Sequence, residues 1–579
     1  MKIDVSKLGY RWKGELDNAT SYKKGDVVRS NNEVHVFTQD SSSNHSANLT
    51  KVAVGQNELA KGQIAVNSTS VPTGYDGMEL HSASSGGSFV SEFRHGKEKN
   101  GTRAVSLIKT NMSGAQYYPG YHLGAIMTDG TVRLWGYRDS GALGRGTNNV
   151  NDMLPSMAGL PKDAARIKKG WSFHMHMFLL DEDNRLWGTG VRSSGHGSTS
   201  ECLVFKPISH EAGHAIQEEI TDISGGNDYY GYHGFMALGV SGKVYAWGQQ
   251  RQYHFGLKDG NVADVTQPTV VPISEEHPMA YIYNHEATYS SSHLVTRDGK
   301  LYTAGQNARN LHPYDTSNLG HILFDPWGSE NARVRWVQLH ESNSHWVSGS
   351  QYNHHTAVTL EDGRCYVIGN GHGQVGFGTA STDAGWVYQW QLDPRYPFHY
   401  NVEKLMTVNG GYATAMAWMK DGTLQYRGYS VSSPTNANAT EWTKFDSTTA
   451  GYLGPDIANI VDMRGNGGEH GAFWMIRTSD NKMIGIGKTN QGPAGTGSYD
   501  SQVNGASPST ANNTHMDWVK CPANLVDFSL HGYTTSGNGY STVHALDDKG
   551  RTWVWGSGNN GATQDDDNES IAIPKMVTY

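Results

Sequence analysis

One five-residue stretch has the spacing of a metallopeptidase: His210-Glu211-Ala212-Gly213-His214. On a helix, histidines four apart share a face one turn apart, so both imidazoles reach one zinc ion with the glutamate beside its bound water. The surroundings oppose that chemistry. Lys206-Pro207 comes just before, Ile220-Thr221-Asp222-Ile223 opens an apolar strand just after, and Gly213 weakens any helix between them. No third ligand presents itself, although Glu218 and Glu219 are near. The segment reads as a polar loop between two repeated units.

Three further histidines, His122, His176 and His355, occupy one position of a repeat. Imidazole suits zinc, copper and iron, but other copies carry Gly234, Ser291, Thr414 and Thr542 there, which breaks a ring of ligands. A histidine so placed is expected to bond the backbone of a neighbouring unit. Asp565-Asp566-Asp567 is consecutive rather than spaced as in a calcium loop, and reads as a solvated turn. No glycine-rich phosphate loop ending in Lys-Ser/Thr and no Gly-x-Ser-x-Gly elbow occurs. Catalytic residues, metal ligands and cofactors are therefore assigned to none, and the expectation is a binding protein rather than an enzyme.

Aromatic side chains are the candidates for binding. Trp386, Tyr388 and Trp390 form one group, Tyr229, Tyr230 and Tyr232 a second, and Trp12 with Tyr22 a third near the start. Flat amphipathic rings suit sugar faces and protein interfaces alike, because they cover much area with little entropy loss. The competing reading is that they fill grooves between units, or form the core of a small module.

Eight copies of one pattern must position these residues. Each is a short apolar strand, a tight turn, a second apolar strand and a closing glycine. Ala125-Ile126-Met127-Thr128-Asp129-Gly130-Thr131-Val132-Arg133-Leu134-Trp135-Gly136 is a clear copy. The closing glycines read as Gly136, Gly188, Gly248, Gly305, Gly369, Gly428, Gly487 and Gly556, spaced 52, 60, 57, 64, 59, 59 and 69 residues apart. That period exceeds a tryptophan–aspartate repeat of about 40–45 residues. Asp-Gly between alternating apolar runs is a hairpin signal, since the turn needs positive φ. A further strand precedes each hairpin, as in Ile220–Gly226. Three or four strands per unit, repeated radially, predict an all-β fold: a seven- or eight-bladed β-propeller over 103–579. The copy around Ser479-Asp480-Asn481-Lys482 is degenerate and leaves the blade number open.

These motifs resemble the repeats of the regulator-of-chromosome-condensation family. The family pattern has a histidine eight residues before the second turn residue, a Trp-Gly closing the hairpin, and a Gly-x-Leu-Gly loop after it. Here His122, His176 and His355 have that spacing. Trp135-Gly136, Trp187-Gly188, Trp247-Gly248 and Trp555-Gly556 match the closing pair, and Gly141-Ala142-Leu143-Gly144 and Gly373-Gln374-Val375-Gly376 match the loop. That family usually has seven blades, whereas eight hairpins are present here.

The first hundred residues differ. Trp12-Lys13-Gly14, Tyr22-Lys23-Lys24-Gly25-Asp26-Val27-Val28 and Val34-His35-Val36-Phe37 resemble a small β-module of carbohydrate-binding domains and phage tail proteins, placed at 1–40. Residues 41–102 read as an extended arm or linker. Within them, Ala60-Lys61-Gly62-Gln63-Ile64-Ala65-Val66-Asn67 and Met78-Glu79-Leu80 resemble a segment of phage tail fibres. The resemblance implies a virion structural protein of tail, baseplate or fibre, present in several copies. It would be made in the host cytoplasm and would bind other virion proteins and host-surface glycan. Two alternatives stand beside it: a regulator or nucleotide-exchange factor of a small GTPase, and a tail enzyme degrading polysaccharide.

Composition agrees with the repeat. With 70 Gly, 16 Trp, 30 Tyr and 37% apolar residues in 579, the core is large and not helical. A net charge of −9 without a long basic run argues against tight nucleic-acid binding driven by counterion release. Three distant cysteines, Cys202, Cys365 and Cys521, make no disulfide framework. No 18-residue apolar run exists, so membrane insertion is not expected.

Overall fold

A computed structural model describes the backbone of 2–4, 11–15, 26–30, 33–37, 49–54, 63–65, 78–85 and 88–95 in the first hundred residues. Beyond them it describes 103–110, 122–136, 141–146, 152–158, 160, 164–173, 175–191, 194–227, 233–251, 254–257, 262–285, 291–305, 320–325, 327, 332–342, 353–369, 387–391, 401–408, 414–428, 439–444, 457, 459–468, 471–488, 495, 514–535, 538–557, 563, 570–577 and 579. The chain divides into two compact units, Met1–Gly101 with Tyr579, and Thr102–Thr578.

In the first unit, Arg11–Glu15, Asp26–Ser30, Glu33–Phe37 and Leu49–Val54 form one four-stranded sheet whose first two strands are parallel. Lys2–Asp4 pairs with Gln63–Ala65, and Met78–Ser85 forms a hairpin with Ser88–His95. Strands thus occupy 49–54, 63–65, 78–85 and 88–95, inside the segment read as an arm.

Among the described residues, the second unit contains eight sheets, each an antiparallel meander of strands A, B, C and D. Blade one spans 104–157, two 167–207, three 220–270, four 279–324, five 334–391, six 402–444, seven 460–518 and eight 525–576. Strand A is innermost, because successive A strands are neighbours. Lys109–Thr110 leaves blade one and pairs in parallel with Trp171–Ser172 of blade two.

All eight B–C turns share one hydrogen-bond pattern. In blade one the Gly130 amide donates to the Met127 carbonyl (2.8 Å) and the Met127 amide to the Thr131 carbonyl (2.9 Å). Blade eight repeats this with Gly550, Asp547 and Arg551. A type I turn followed by one left-handed residue gives this pattern. That residue is glycine in six blades and Asn184 (φ 65) or Asn481 (φ 61) in blades two and seven. Asparagine tolerates the left-handed region, so the copy read as degenerate is a complete blade.

The same turn locks the ring. Its left-handed residue offers a carbonyl to the first strand-A amide of the next blade: Gly130 to Ile167 (2.9 Å), Gly242 to Met279 (2.9 Å) and Gly299 to Val334 (2.9 Å). Gly550 accepts from Ala104 in the same way (2.9 Å), joining the last blade to the first and closing the ring. Strand A also carries a bulge at its second residue in every blade, from Val105 in blade one to Val526 in blade eight. Bulges raise local twist, which sets the splay between adjacent blades.

One repeat position differs from the sequence reading. In blade two the closing glycine is Gly190, which pairs with His176 as Gly136 pairs with His122. Both have positive φ, 129 and 101. Gly188 lies two residues nearer the turn. Trp187 therefore corresponds to Trp553, and both indoles donate to a buried aspartate at the end of strand B, Asp181 (2.9 Å) and Asp547 (3.0 Å). The core consists of apolar clusters between blades. Ile126, Leu134 and Val132 meet Ile167, Met177 and Phe205 at joint one–two, and Met406, Met416 and Leu424 meet Ile460, Met463 and Trp474 at joint six–seven.

Candidate functional site

The peptidase-like segment lacks the helix that its spacing would need to hold a metal. Gly213 and His210 both have positive φ, and the His214 amide donates to the Glu211 carbonyl (3.1 Å) in a single turn. No helix forms, so the two imidazoles are not stacked on one face. His210 Nδ1 lies 3.0 Å from the Ser209 hydroxyl, and His214 Nε2 lies 3.9 Å from Glu211 Oε2. Burial lowers the His210 pKa, with Asp181 opposing. Burial, with Lys206 and His214 nearby, lowers His196 to about 4. Among the described residues no group of three His, Cys, Asp or Glu could hold a metal.

At the repeat position, His176 is bonded differently from the expectation. His176 is fully buried, and its Nε2 must donate to the Val191 carbonyl (2.9 Å), since a carbonyl only accepts. Val191 follows strand C of the same blade, so the bond closes its own sheet rather than reaching a neighbour. His122 is equally buried, and His355 occupies the equivalent strand position opposite Gly369.

The aromatic candidates are distributed. Trp12 lies on the first unit's strand Arg11–Glu15, while Tyr22 lies outside the described residues. Tyr229, Tyr230 and Tyr232 lie outside them too, in the A–B connection of blade three. So does Trp386, at the end of the C–D connection of blade five. Tyr388 and Trp390 lie on Val387–Gln391, the outermost strand of blade five. Asp565-Asp566-Asp567 also lies outside the described residues.

Sequence reading missed a belt of charged side chains on the inner strands. Lys169 bonds the Thr221 carbonyl, and the Trp171 indole donates to Asp222 (3.0 Å). Arg335 pairs with Glu403, and Lys404 donates to the Met463 carbonyl (3.2 Å). Arg464 reaches Asp462 (2.8 Å) and Asp527 (3.3 Å), and Lys109 lies 3.8 Å from Asp527. Burial lowers Lys404 to about 8, against the pull of Asp462. Each partner sits on an adjacent blade or the same strand, so the belt ties blades together. Its signal was a charge recurring between the second and fifth residues of strand A.

The meander separates two faces. The B–C turns and D–A connections leave one end of every sheet, and the A–B and C–D connections the other. Every B–C turn has four residues, from 128–131 to 548–551. The C–D connections run from 10 residues (252–261 and 429–438) to 25 (489–513). One C–D connection shows how the next blade is gripped: Leu143 is buried beside Phe205, and the Gly146 amide donates to the Leu203 carbonyl (2.7 Å). A Cβ on Gly144 would lie 2.4 Å from the Phe205 ring, which accounts for the second glycine of Gly-x-Leu-Gly.

No family model matches the chain. It is 23% identical over 279 residues to the regulator of chromosome condensation of Mus musculus, covering 46% of this chain and 62% of that protein. The regulator of Drosophila melanogaster is 24% identical over 273 residues, 45% of each chain. The chain thus spans less than two thirds of the length of these curated relatives. Among solved structures, Prp20p from Saccharomyces cerevisiae aligns with TM-score 0.45 and 15% identity, over 81% of this chain and 88% of that one. Human WBSCR16 aligns with TM-score 0.42 and 14% identity, over 66% and 87%. The chain carries β-propeller repeats like those of the regulator of chromosome condensation.

Proposed function

We propose that this protein is a non-catalytic platform that holds protein partners on the A–B and C–D face of its propeller. The observation that carries this reading is the asymmetry of the two faces. One face repeats a four-residue turn eight times beside D–A connections of 6 to 15 residues, while the other has no fixed turn and carries C–D connections of 10 to 25 residues. A ring held by repeated backbone bonds gives rigid support to variable loops, the usual division between scaffold and binding surface.

Two finer readings follow from different parts of the chain. The similarity of the repeats favours a regulator of a small GTPase, the activity implied by the resemblance to exchange factors of this repeat type. The first hundred residues favour a virion component, with the propeller displayed outward and multiplied by copy number.

Release of fluorescent GDP from a panel of small GTPases tests the first, and immunoblotting of gradient-purified phage particles tests the second. Replacing 496–513 by a short Gly-Ser linker, with Gly495 kept, tests the shared platform. The linker variant should keep its melting temperature while losing partner capture. Full capture by the variant, and by equivalent variants at 306–319 and 370–386, would refute docking on this face.

A further inference from the structure

Seven of the eight joints between blades contain a mainly apolar cluster: one–two, two–three, three–four, four–five, five–six, six–seven and seven–eight. The eighth joint, between blade eight and blade one, also has buried apolar side chains in both blades, such as Leu123, Ala125, Leu546 and Val554, but adds two histidines to them. His531 and His544 of blade eight are both fully buried, with ring centroids 6.3 Å apart. His544 meets the Trp135 ring of blade one edge-on at 4.9 Å. Neither nitrogen of His531 or of His544 has a hydrogen-bond partner. Ser529, Thr542 and Thr552 are also buried in the strands of blade eight.

Closure is also purely non-covalent. Blades one and eight each complete their own sheet from contiguous chain, with no strand exchanged between the ends. Among the described contacts, the Ala104–Gly550 backbone bond, the His544–Trp135 ring contact and the Lys109–Asp527 pair cross this joint.

We propose that the joint between blades eight and one is an acid-released clasp, at which the ring opens ahead of its other seven joints. The released rings of His531 and His544 take up protons that the closed joint has no room to solvate. Desolvation holds both rings neutral in the closed ring, and a proton on His122 would oppose one on His531, as a proton on His531 would oppose one on His544. Other charged groups here are Arg133, which shares the Trp135 face by strand alternation, Arg103 beside Gly550, and the Lys109–Asp527 pair. Arg133 and Arg103 are cationic, so they oppose a second positive charge as well.

The test is hydrogen exchange on the full chain at pH 7.5 and 5.0, with rates corrected for their intrinsic pH dependence. An exposed histidine titrates near 6.5, so the drop to pH 5.0 favours opening by about 30-fold per histidine. Peptides over 104–107 and 542–547 should lose protection by that factor or more. Peptides over 414–419 and 460–468, at the apolar joint six–seven, should stay within about threefold. His531→Leu and His544→Leu should each remove about 30-fold of the acid effect. Equal loss at both joints, or no loss at 104–107 at pH 5.0, would overturn the proposal; the wild-type protein alone decides this if a variant fails to fold.

Discussion

Asp547 shows how much one residue can hold. Its side chain is inaccessible and accepts from the Arg551 amide (2.8 Å), the Lys549 amide (2.9 Å), the Arg551 side chain (2.7 Å) and the Trp553 indole. Burial alone would raise its carboxyl pKa, but these donors outweigh burial and hold it below the usual carboxylate value. Asp547→Ala should cost roughly 2–4 kcal/mol in urea unfolding, because four donors lose their acceptor. Acid acts on the same scale. His531 titrates at about 3 in the folded chain, below its ordinary 6.5, so the folded form binds fewer protons. Stability is then complete above about pH 6.5 and falls by roughly 1.4 kcal/mol per pH unit for each such histidine below it. Asp547 adds a loss only below about pH 4. Urea midpoints measured from pH 7.5 to 4.5 should decline through the histidine window; a flat profile would contradict the buried neutral state.

At the scale of the element, the B–C hairpin is the unit of construction. A Cβ on Gly242 (φ 94) would lie 2.8 Å from the Met279 amide of the next blade. Gly242→Ala should therefore cost about 1–3 kcal/mol. Asn481→Gly, at the same turn position, should shift stability by less than about 1 kcal/mol, and paired thermal melts compare the two. Arg464→Leu removes the Asp527 and Phe528 contacts of joint seven–eight and should cost roughly 1–2 kcal/mol.

The sequence made these hairpins legible because Asp-Gly and alternating apolar residues are local signals. It also supported the propeller, since the period carries over all eight units. It misplaced the closing glycine of blade two, because Trp187-Gly188 imitates the Trp-Gly pair two residues out of register. It could not show the belt at Arg335, Lys404 and Arg464, whose partners lie about sixty residues away. Nor could it show that Asn184 and Asn481 perform the glycine's task, or that His176 bonds its own blade.

At the scale of the whole molecule, stability rests on closure. Each joint shares its two blades with their other neighbours, so a ring tolerates a weak joint that an open stack would expose. Residues 102–578 form a compact unit of their own. Expressed alone, that fragment should melt cooperatively within about 3 °C of the same transition in the full chain, as followed by circular dichroism. Loss of folding in the fragment would show that the propeller depends on residues 1–101. Of the aromatic candidates, Trp12 belongs to one unit and Tyr388 and Trp390 to the other.

The fixed four-residue turns have a practical corollary. Length can be added on the opposite side, past the stretch of a connection that grips the next blade, without altering the turn bonds that join one sheet to the next. A reporter domain spliced between Gly495 and Thr514 would meet a connection that already carries more chain than its counterparts. A reporter at 240–243 would break the register of two sheets at once. The molecule thus designates its own permissive edge, where inserts, tags or new specificities can be grafted while the wheel behind them keeps its pitch.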